Sequence, residues 1–309
     1  MPSGARVHGA VRLCRASLLL ALAPTLAWAQ NLEPRLYLPL PTGLNAVVAS
    51  YAHISGSVLF DATMPVTDVR ASGHSATLAY ARAFGLAGRS AQVQVVAPFL
   101  FGSATGLLAG QDTSRDLRGP ADPQLRLAVN LLGGPARRRA EFAGVRFGTI
   151  VGASLTLNLP LGHYDPDRYL NVGSNRWALK PELGVVQPLG RSWALEGYAA
   201  ISFFTHNADY VGTTLTQEPL LAIQGHLIRV LGRKAWLALD GTLVRGGNTA
   251  VDGVVKNTFQ KNARLGATAG WAPARGHALK ASVAKGVYTR FGGDFTIFSI
   301  GYQRAWGGE

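Results

Sequence analysis

The sequence predicts an all-β protein, an antiparallel transmembrane β-barrel of about twelve strands. Three observations predict it. Segments of about ten residues alternate apolar and polar side chains with period 2, the pattern of a strand with one lipid face and one polar face. The connections alternate between tight and long, as a barrel with short periplasmic turns and longer extracellular loops requires. No stretch after the leader is continuously apolar over the roughly 20 residues that a membrane helix needs. The longest run without Asp, Glu, Lys or Arg, Leu36 to Phe60, is broken by Pro39, Pro41, Gly43 and Asn45.

Residues 1–29 read as a secretory signal peptide. Arg6, Arg12 and Arg15 form a basic start, Ser17 to Leu26 a short apolar core, and Ala27-Trp28-Ala29 a small-x-small cleavage site before Gln30. Cys14 precedes the apolar core and leaves with it, so the mature barrel domain, residues 30–309, has no Cys. That excludes a disulfide scaffold and a Cys-based zinc module. Loss of three arginines and no acid lowers the net charge from +13 to +10. In an exported protein this charge suits anionic headgroups or anionic solutes, and nucleic acid is not an expected partner. With 48% hydrophobic and only 15% charged residues the chain is not disordered, and its 37 glycines favour turns and strands.

Twelve strands are expected near residues 44–56, 75–85, 90–101, 121–132, 145–160, 175–187, 192–205, 218–230, 236–245, 258–271, 278–290 and 295–306. The fourth shows the alternation plainly: Leu125, Leu127, Val129 and Leu131 share one face, and Gln124, Arg126, Ala128 and Asn130 the other. In the fifth, Val151, Leu155, Leu157 and Leu159 oppose Ser154, Thr156 and Asn158. Leu221, Ile223 and Leu227 oppose Gln224 and His226 in the eighth, as Leu237, Leu239 and Leu243 oppose Asp240 and Thr242 in the ninth. Tight turns are expected at 85–89, 188–192, 231–235 and 272–277. Long loops are expected around 57–74, 102–120, 161–174, 206–217 and 246–257. The connection at 133–144 is long for its side, and 292–294 is short for an outer loop. An even strand count places both termini in the periplasm.

Aromatic residues settle at membrane interfaces. Phe84, Trp193, Trp236, Trp271 and Trp306 are expected in the periplasmic girdle, and Trp177, Phe203, Phe204, Tyr288 and Phe291 in the outer one.

Charge on the lipid face would cost on the order of 2–4 kcal/mol per residue, so the charged and polar parity of each strand should point inward. The expected lumen or pathway residues are Arg126, Asn130, Asn158, Lys180, Glu182, Glu196, Gln224, His226, Asp240 and Arg264. They can serve a polar solute path or form an ion-pair ladder filling a narrow barrel. A second cluster, Tyr164, Asp165, Arg168, Asn175, Arg176 and Trp177, with Asp167, Tyr169 and Asn171 among it, lies in a long loop. Asp-Pro and Asn-x-Gly are turn chemistry, while aromatics beside Arg suit an aromatic anion. His53, His74, His163, His206, His226 and His277 show no metal-ligand spacing and no GxSxG is present, so neither metal nor other cofactor is expected, and no catalysis.

The segments PRLYLPLPTGLN (34–45), DPQLRLAVNLLGGPA (122–136), LPLGHYDPDRYLNVGSNRWALKPELGV (159–185) and GYQRAWG (301–307) resemble the phenol-degradation MetA-pathway family of outer-membrane barrels. The resemblance covers nearly all of the mature chain. It implies an outer-membrane location in a Gram-negative bacterium and passage of small hydrophobic or aromatic, phenol-type compounds. Implied partners are outer-membrane lipid and lipopolysaccharide, the barrel-assembly machinery and the solute. Gly307, Gly308 and Glu309 after Trp306 depart from barrels that end on an aromatic assembly signal. A structural or surface-interaction barrel with a plugged lumen is the alternative, and a lipid-modifying barrel enzyme a third.

Overall fold

The computed structural model describes residues 32–59, 66–108, 110–142, 147–168 and 170–308. The signal peptide expected at residues 1–29, the expected mature start at Gln30, and Tyr169 lie outside the described residues. The strands, in chain order, are β1 (Leu44–Leu59), β2 (Val66–Leu86), β3 (Arg89–Leu108), β4 (Gln111–Pro120), β5 (Gln124–Leu132), β6 (Ile150–Asn158), β7 (Ala178–Leu189), β8 (Trp193–Phe204), β9 (Asn207–Tyr210), β10 (Thr213–Gln217), β11 (Leu220–Leu231), β12 (Ala235–Gly246), β13 (Thr249–Val251), β14 (Val254–Val255), β15 (Gln260–Ala274), β16 (His277–Thr289) and β17 (Gly292–Gly307).

Neighbours pair antiparallel around the wall in the order β2-β1-β17-β16-β15-β12-β11-β8-β7-β6-β5-β3, and β3 returns to β2. The sheet closes on itself as a twelve-strand barrel. Closure pairs the edge backbone groups that a membrane could not solvate. β4 adds no thirteenth position. It pairs with the outer half of β3 (Phe99↔Pro120), and β5 pairs with the inner half (Val96↔Gln124), so the two continue one wall position. The break falls at 121–123, flanked by Pro120 and Pro123, which have no N–H to give to the ladder.

Both chain ends of the barrel and the tight turns share one rim, with Leu44 opposite Gly307. Ala87 and Gly88, at φ 47° and 74°, form the two-residue turn joining Leu86 to Arg89. A pair of positive φ values matches the right-handed twist of the flanking strands. Residues 133–142 lie against this rim through Ala136 N to Gly88 O, 2.9 Å, and Arg139 Nη1 to Gly307 O, 3.0 Å, with a 3-10 turn at Arg139–Phe142.

The expected long loops need correction. Most of 57–74 and 102–120 is strand, because β1 to β4 extend the wall outward as paired hairpins. The segments 206–217 and 246–257 carry β9, β10, β13 and β14, a separate four-stranded sheet over the outer mouth, with Tyr210, Leu215 and Val251 packed together. β6 begins at Ile150 rather than 145.

Side-chain parity divides the wall. Leu125, Leu127, Leu237 and Leu239 are 41, 44, 49 and 65% exposed on the outer surface, while Arg126 and Asp240 between them are 6 and 3% exposed. Trp193, Trp271 and Trp306 stand outward near the inner rim, and Trp177, Phe203 and Tyr288 near the other. Three aromatics expected in girdles are not there. Trp236 shares the inward parity of Asp240 and covers Gly270, Phe204 packs inside against Leu220, Ala222 and Val244, and Phe291 is buried. Trp236 and Phe204 sit one residue off the outward parity of their strands and Phe291 lies in the connection between β16 and β17, so nearness to a turn did not determine their placement.

Candidate functional site: the lumen and its N-terminal segment

Residues 32–43 enter the barrel. They run from mid-lumen to the inner rim, where Gly43 N donates to Ala83 O at 2.8 Å and Thr42 N to Arg137 O at 2.9 Å. Residues 34–37 form a turn with Arg35 at φ 72°, and Pro34, Pro39 and Pro41 leave fewer N–H groups to satisfy. Those that remain find wall side chains: Arg35 N donates to Glu196 Oε2 at 2.7 Å, and Leu36 N to Tyr198 Oη at 3.3 Å. Gln92 Nε2 donates to Leu36 O at 3.0 Å.

Tyr37 is the anchor, 1% exposed. Its ring lies across Gly152 and Gly184, which are register partners on β6 and β7, and meets Tyr198 edge-on at 5.2 Å and 81°. A Cβ at Gly184 would stand 2.1 Å from Tyr37 Cε2, and one at Gly152 2.2 Å from Cδ1. Glycine at both positions is what leaves a flat seat for the ring. The Tyr37 hydroxyl reaches Glu182 Oε1 at 3.0 Å and Ser154 Oγ at 3.2 Å. Glu33 Oε2 pairs with Arg126 Nη1 at 2.6 Å, Arg126 Nε donates to Thr156 Oγ1 at 3.1 Å, and Arg35 lies 5.3 Å from the Trp236 ring centre. The segment thus fills the inner half of the lumen with matched polar contacts, each compensating the desolvation of a wall charge.

The residues proposed from sequence for the lumen are placed as follows. Arg126, Asn130, Glu182, Glu196, Gln224, His226, Asp240 and Arg264 are buried on the inner parity. Lys180 is 13% exposed with Nζ 3.9 Å from Glu182 Oε2, and Asn158 is half-buried. Glu196 receives Arg35 N and the Tyr198 hydroxyl. His226 Nδ1 lies 2.7 Å from Asp240 Oδ1, and Thr268 Oγ1 donates to Asp240 Oδ2 at 2.6 Å. A carboxylate accepts only, so Asp240 calls for the proton on Nδ1. The inward charges are therefore met largely by Glu33, Arg35 and Tyr37, which sequence reasoning did not assign. Their signal was in view as the proline-spaced run PRLYLPLP, with one aromatic among small turns.

The loop cluster divides. Asp165 Oδ1 accepts Asp167 N at 3.1 Å, Asp165 pairs with Arg168 at 3.5 Å on the surface, and Asn171 closes the same turn through Asp165 N at 2.9 Å. These side chains are spent on turn geometry. Trp177 shares the outward parity of Leu179 and stands apart. Tyr164, Asn175 and Arg176 converge instead on the outer sheet: Asn207 Nδ2 donates to Tyr164 Oη at 2.7 Å, and Asn175 Nδ2 to Asn207 Oδ1 at 2.9 Å. Arg176, 2% exposed, bonds Gln217 and lies 4.7 Å from the Phe204 ring centre. Burial pushes its guanidinium down to about 10 and the Tyr164 phenol up. Among the described residues no three His, Cys, Asp or Glu side chains gather as a metal group.

Asp122 was also missed. It sits 5% exposed at the break between β4 and β5, and its carboxylate accepts Gly162 N at 2.9 Å and Ser174 N at 2.8 Å, clamping the 161–174 loop to the wall. Asp122→Ala should free that loop at a cost of about 1–3 kcal/mol for the stranded donors. Limited proteolysis of the folded barrel should then cut near Asp167, and equal resistance in variant and wild type would remove the clamp.

The family model described as "Putative MetA-pathway of phenol degradation" matches residues 44–298. The chain belongs to this family. Among solved structures, the COG4313 outer membrane channel from Pseudomonas putida F1 is similar at 20% identity and a TM-score of 0.75, over 89% of this chain and 100% of that one. The β domain of the Bordetella autotransporter BrkA is similar at 12% identity and TM-score 0.51, over 85% of this chain and 100% of that one. The transport unit of the Escherichia coli autotransporter AIDA-I gives 5% identity and TM-score 0.52, over 91% and 95%. These likenesses bear on the fold, which is that of an outer-membrane barrel. Comparison with curated proteins finds no match.

Proposed function

We propose that the protein is a non-catalytic outer-membrane channel that passes small solutes of hydrophobic or aromatic, phenol-type character. The observation that carries the reading is a closed barrel with an apolar exterior and an interior lined by charged and polar side chains, narrowed by a docked chain segment. A wall built that way would be wasteful in a solid scaffold, since paired interior charges add little stability over apolar packing. The aromatic class is supported by the family description, and the COG4313 protein is itself named a channel. The second reading, a barrel held shut, is favoured by the density of contacts on residues 32–43.

Planar-bilayer conductance and liposome uptake of phenol by the purified mature protein test the reading. Step-like conductance with phenol uptake above empty liposomes is expected, and a folded barrel showing neither would overturn it. Charge should tune the path: Lys180→Glu should shift ion preference toward cations, read as a change in reversal potential under a salt gradient. An unchanged reversal potential would place Lys180 outside the path.

A further inference from the structure

On the outside of β12, β15 and β16, the outer end of the wall gathers cations. Arg245 and Lys261 are register partners, and both are exposed on the parity of Leu243 and Leu265. Like charges directly opposite on one face of a sheet, about 5 Å apart at Cβ, repel. Arg290, just after β16, donates its backbone N to Lys261 O at 3.3 Å, and its guanidinium bonds Phe259 O and, at 2.6 Å, Asn257 Oδ1. Lys261 therefore has a cation on each side. Lys285, exposed and opposite Leu265, lies deeper on β16, and its apolar stem can lift the ammonium toward the same level. The ion pairs among the described residues include none of these four.

Depth specifies the ligand. Arg245 and Lys261 lie ten and thirteen residues from the inner ends of β12 and β15, at Ala235 and Ala274, and Tyr288 lies eleven from the inner end of β16 at His277. At about 3.3 Å per residue and a tilt of about 40°, these positions stand roughly 25–33 Å above the inner ends, at the upper edge of an apolar band about 25 Å tall. Below the cations, Ala267, Ala269 and Ala281 floor an apolar groove of about 920 Å³ flanked by Leu239 and Phe298. Cations at headgroup level above an apolar trough suit a lipid whose head carries phosphate, which Arg and Lys engage directly. We propose that this face of β12, β15 and β16 binds an acylated, phosphorylated sugar lipid of the outer leaflet, the lipid A end of lipopolysaccharide. A phosphate sits between Arg245, Lys261 and Arg290, and an acyl chain lies along the alanine groove. The site needs the barrel to span the membrane, and it does not depend on whether the lumen conducts.

Native mass spectrometry of the detergent-purified mature protein, titrated with diphosphoryl lipid A, tests the site. Saturable retention of the lipid is expected for the wild type, weaker by about tenfold or more in the double variant Arg245→Gln, Lys261→Gln. Ala267→Leu, which fills the groove floor, should also bind more weakly than the wild type. Arg233→Gln, in an exposed inner turn, serves as a charge control and should bind as the wild type does. Heat-modifiable gel migration reports folding; if the double variant does not fold, Arg245→Gln alone carries the test. Equal retention by the wild type and the folded cation or groove variants overturns the site, as does equal retention of zwitterionic phosphatidylethanolamine by the wild type. Displacement of lipid A by inorganic phosphate at equal concentration would show an ion site only and overturn the lipid assignment.

Discussion

Deleting residues 32–40 from the mature protein should raise single-channel conductance several-fold while the barrel still assembles. The wall closes through strand pairing that does not involve this segment, whereas the inner half of the lumen is filled by it. Ion flux through a pore follows its narrowest section, so removing the filling acts directly on the current. A finer version uses the tyrosine seat. Gly184→Val would put a side chain where the Tyr37 ring lies, the Cβ alone being 2.1 Å from Cε2, and should expel the ring without touching the segment. Tyr37→Ala removes an enclosed ring and two hydroxyl contacts, weakening docking by about 3–5 kcal/mol. All three should move conductance the same way. Unchanged conductance in a folded deletion variant would show that the constriction lies elsewhere in the wall.

Leu239→Arg should be the most destabilising single change on the outside, by about 2–4 kcal/mol if it lies near the bilayer midplane. Leu239 is 65% exposed near the middle of β12, and Asp240 beside it is 3% exposed with His226 and Thr268 bonded to its two oxygens. The neighbouring change Asp240→Leu fails for the opposite reason, stranding a buried imidazole and hydroxyl at a cost of about 1–3 kcal/mol. Urea unfolding of the protein in lipid vesicles measures both. Leu239→Arg should lose its penalty in a short-chain detergent, where an exposed charge reaches water, and Asp240→Leu should keep its own. Equal behaviour in both media would contradict the division of faces.

That division was legible in the sequence because it is local. The side-chain period of a strand is 2 by geometry, so LRLAVN and LALDGT declare which residues share a face before any pairing is known. The same lipid solvent that forbids charge outside forces it inside, which is why Arg126, Glu182, Glu196 and Asp240 fall on the buried parity. Strand count followed from the number of such segments and their turns. Aromatics near turns were less informative: Trp236 and Phe204 lie near the rims and face inward and Phe291 is buried, since interface depth and face are separate variables.

The loops were misjudged where strand pairing continues beyond the membrane. Nothing in residues 57–74 or 102–120 alternates cleanly, although Val58 and Val69 pack with Phe295 in a small buried apolar cluster. Their hairpins are specified by backbone pairing along β1 to β4. The same holds for the small sheet of β9, β10, β13 and β14, whose partners come from two loops about forty residues apart.

By itself, then, the sequence determined the barrel, its lipid face and the inner set of charges, all consequences of period and solvent. Only the tertiary structure decided what those charges meet. Glu33 finds Arg126, Arg35 finds Glu196 and Tyr37 finds Glu182 across separations of up to 161 residues. Arg264 Nε has no hydrogen-bond partner among the described residues. Partner choice across a lumen depends on where a closed wall brings strands distant in the chain, and on glycines at 152 and 184 that leave a seat only once their strands are paired. Neither has a period that a sequence can show.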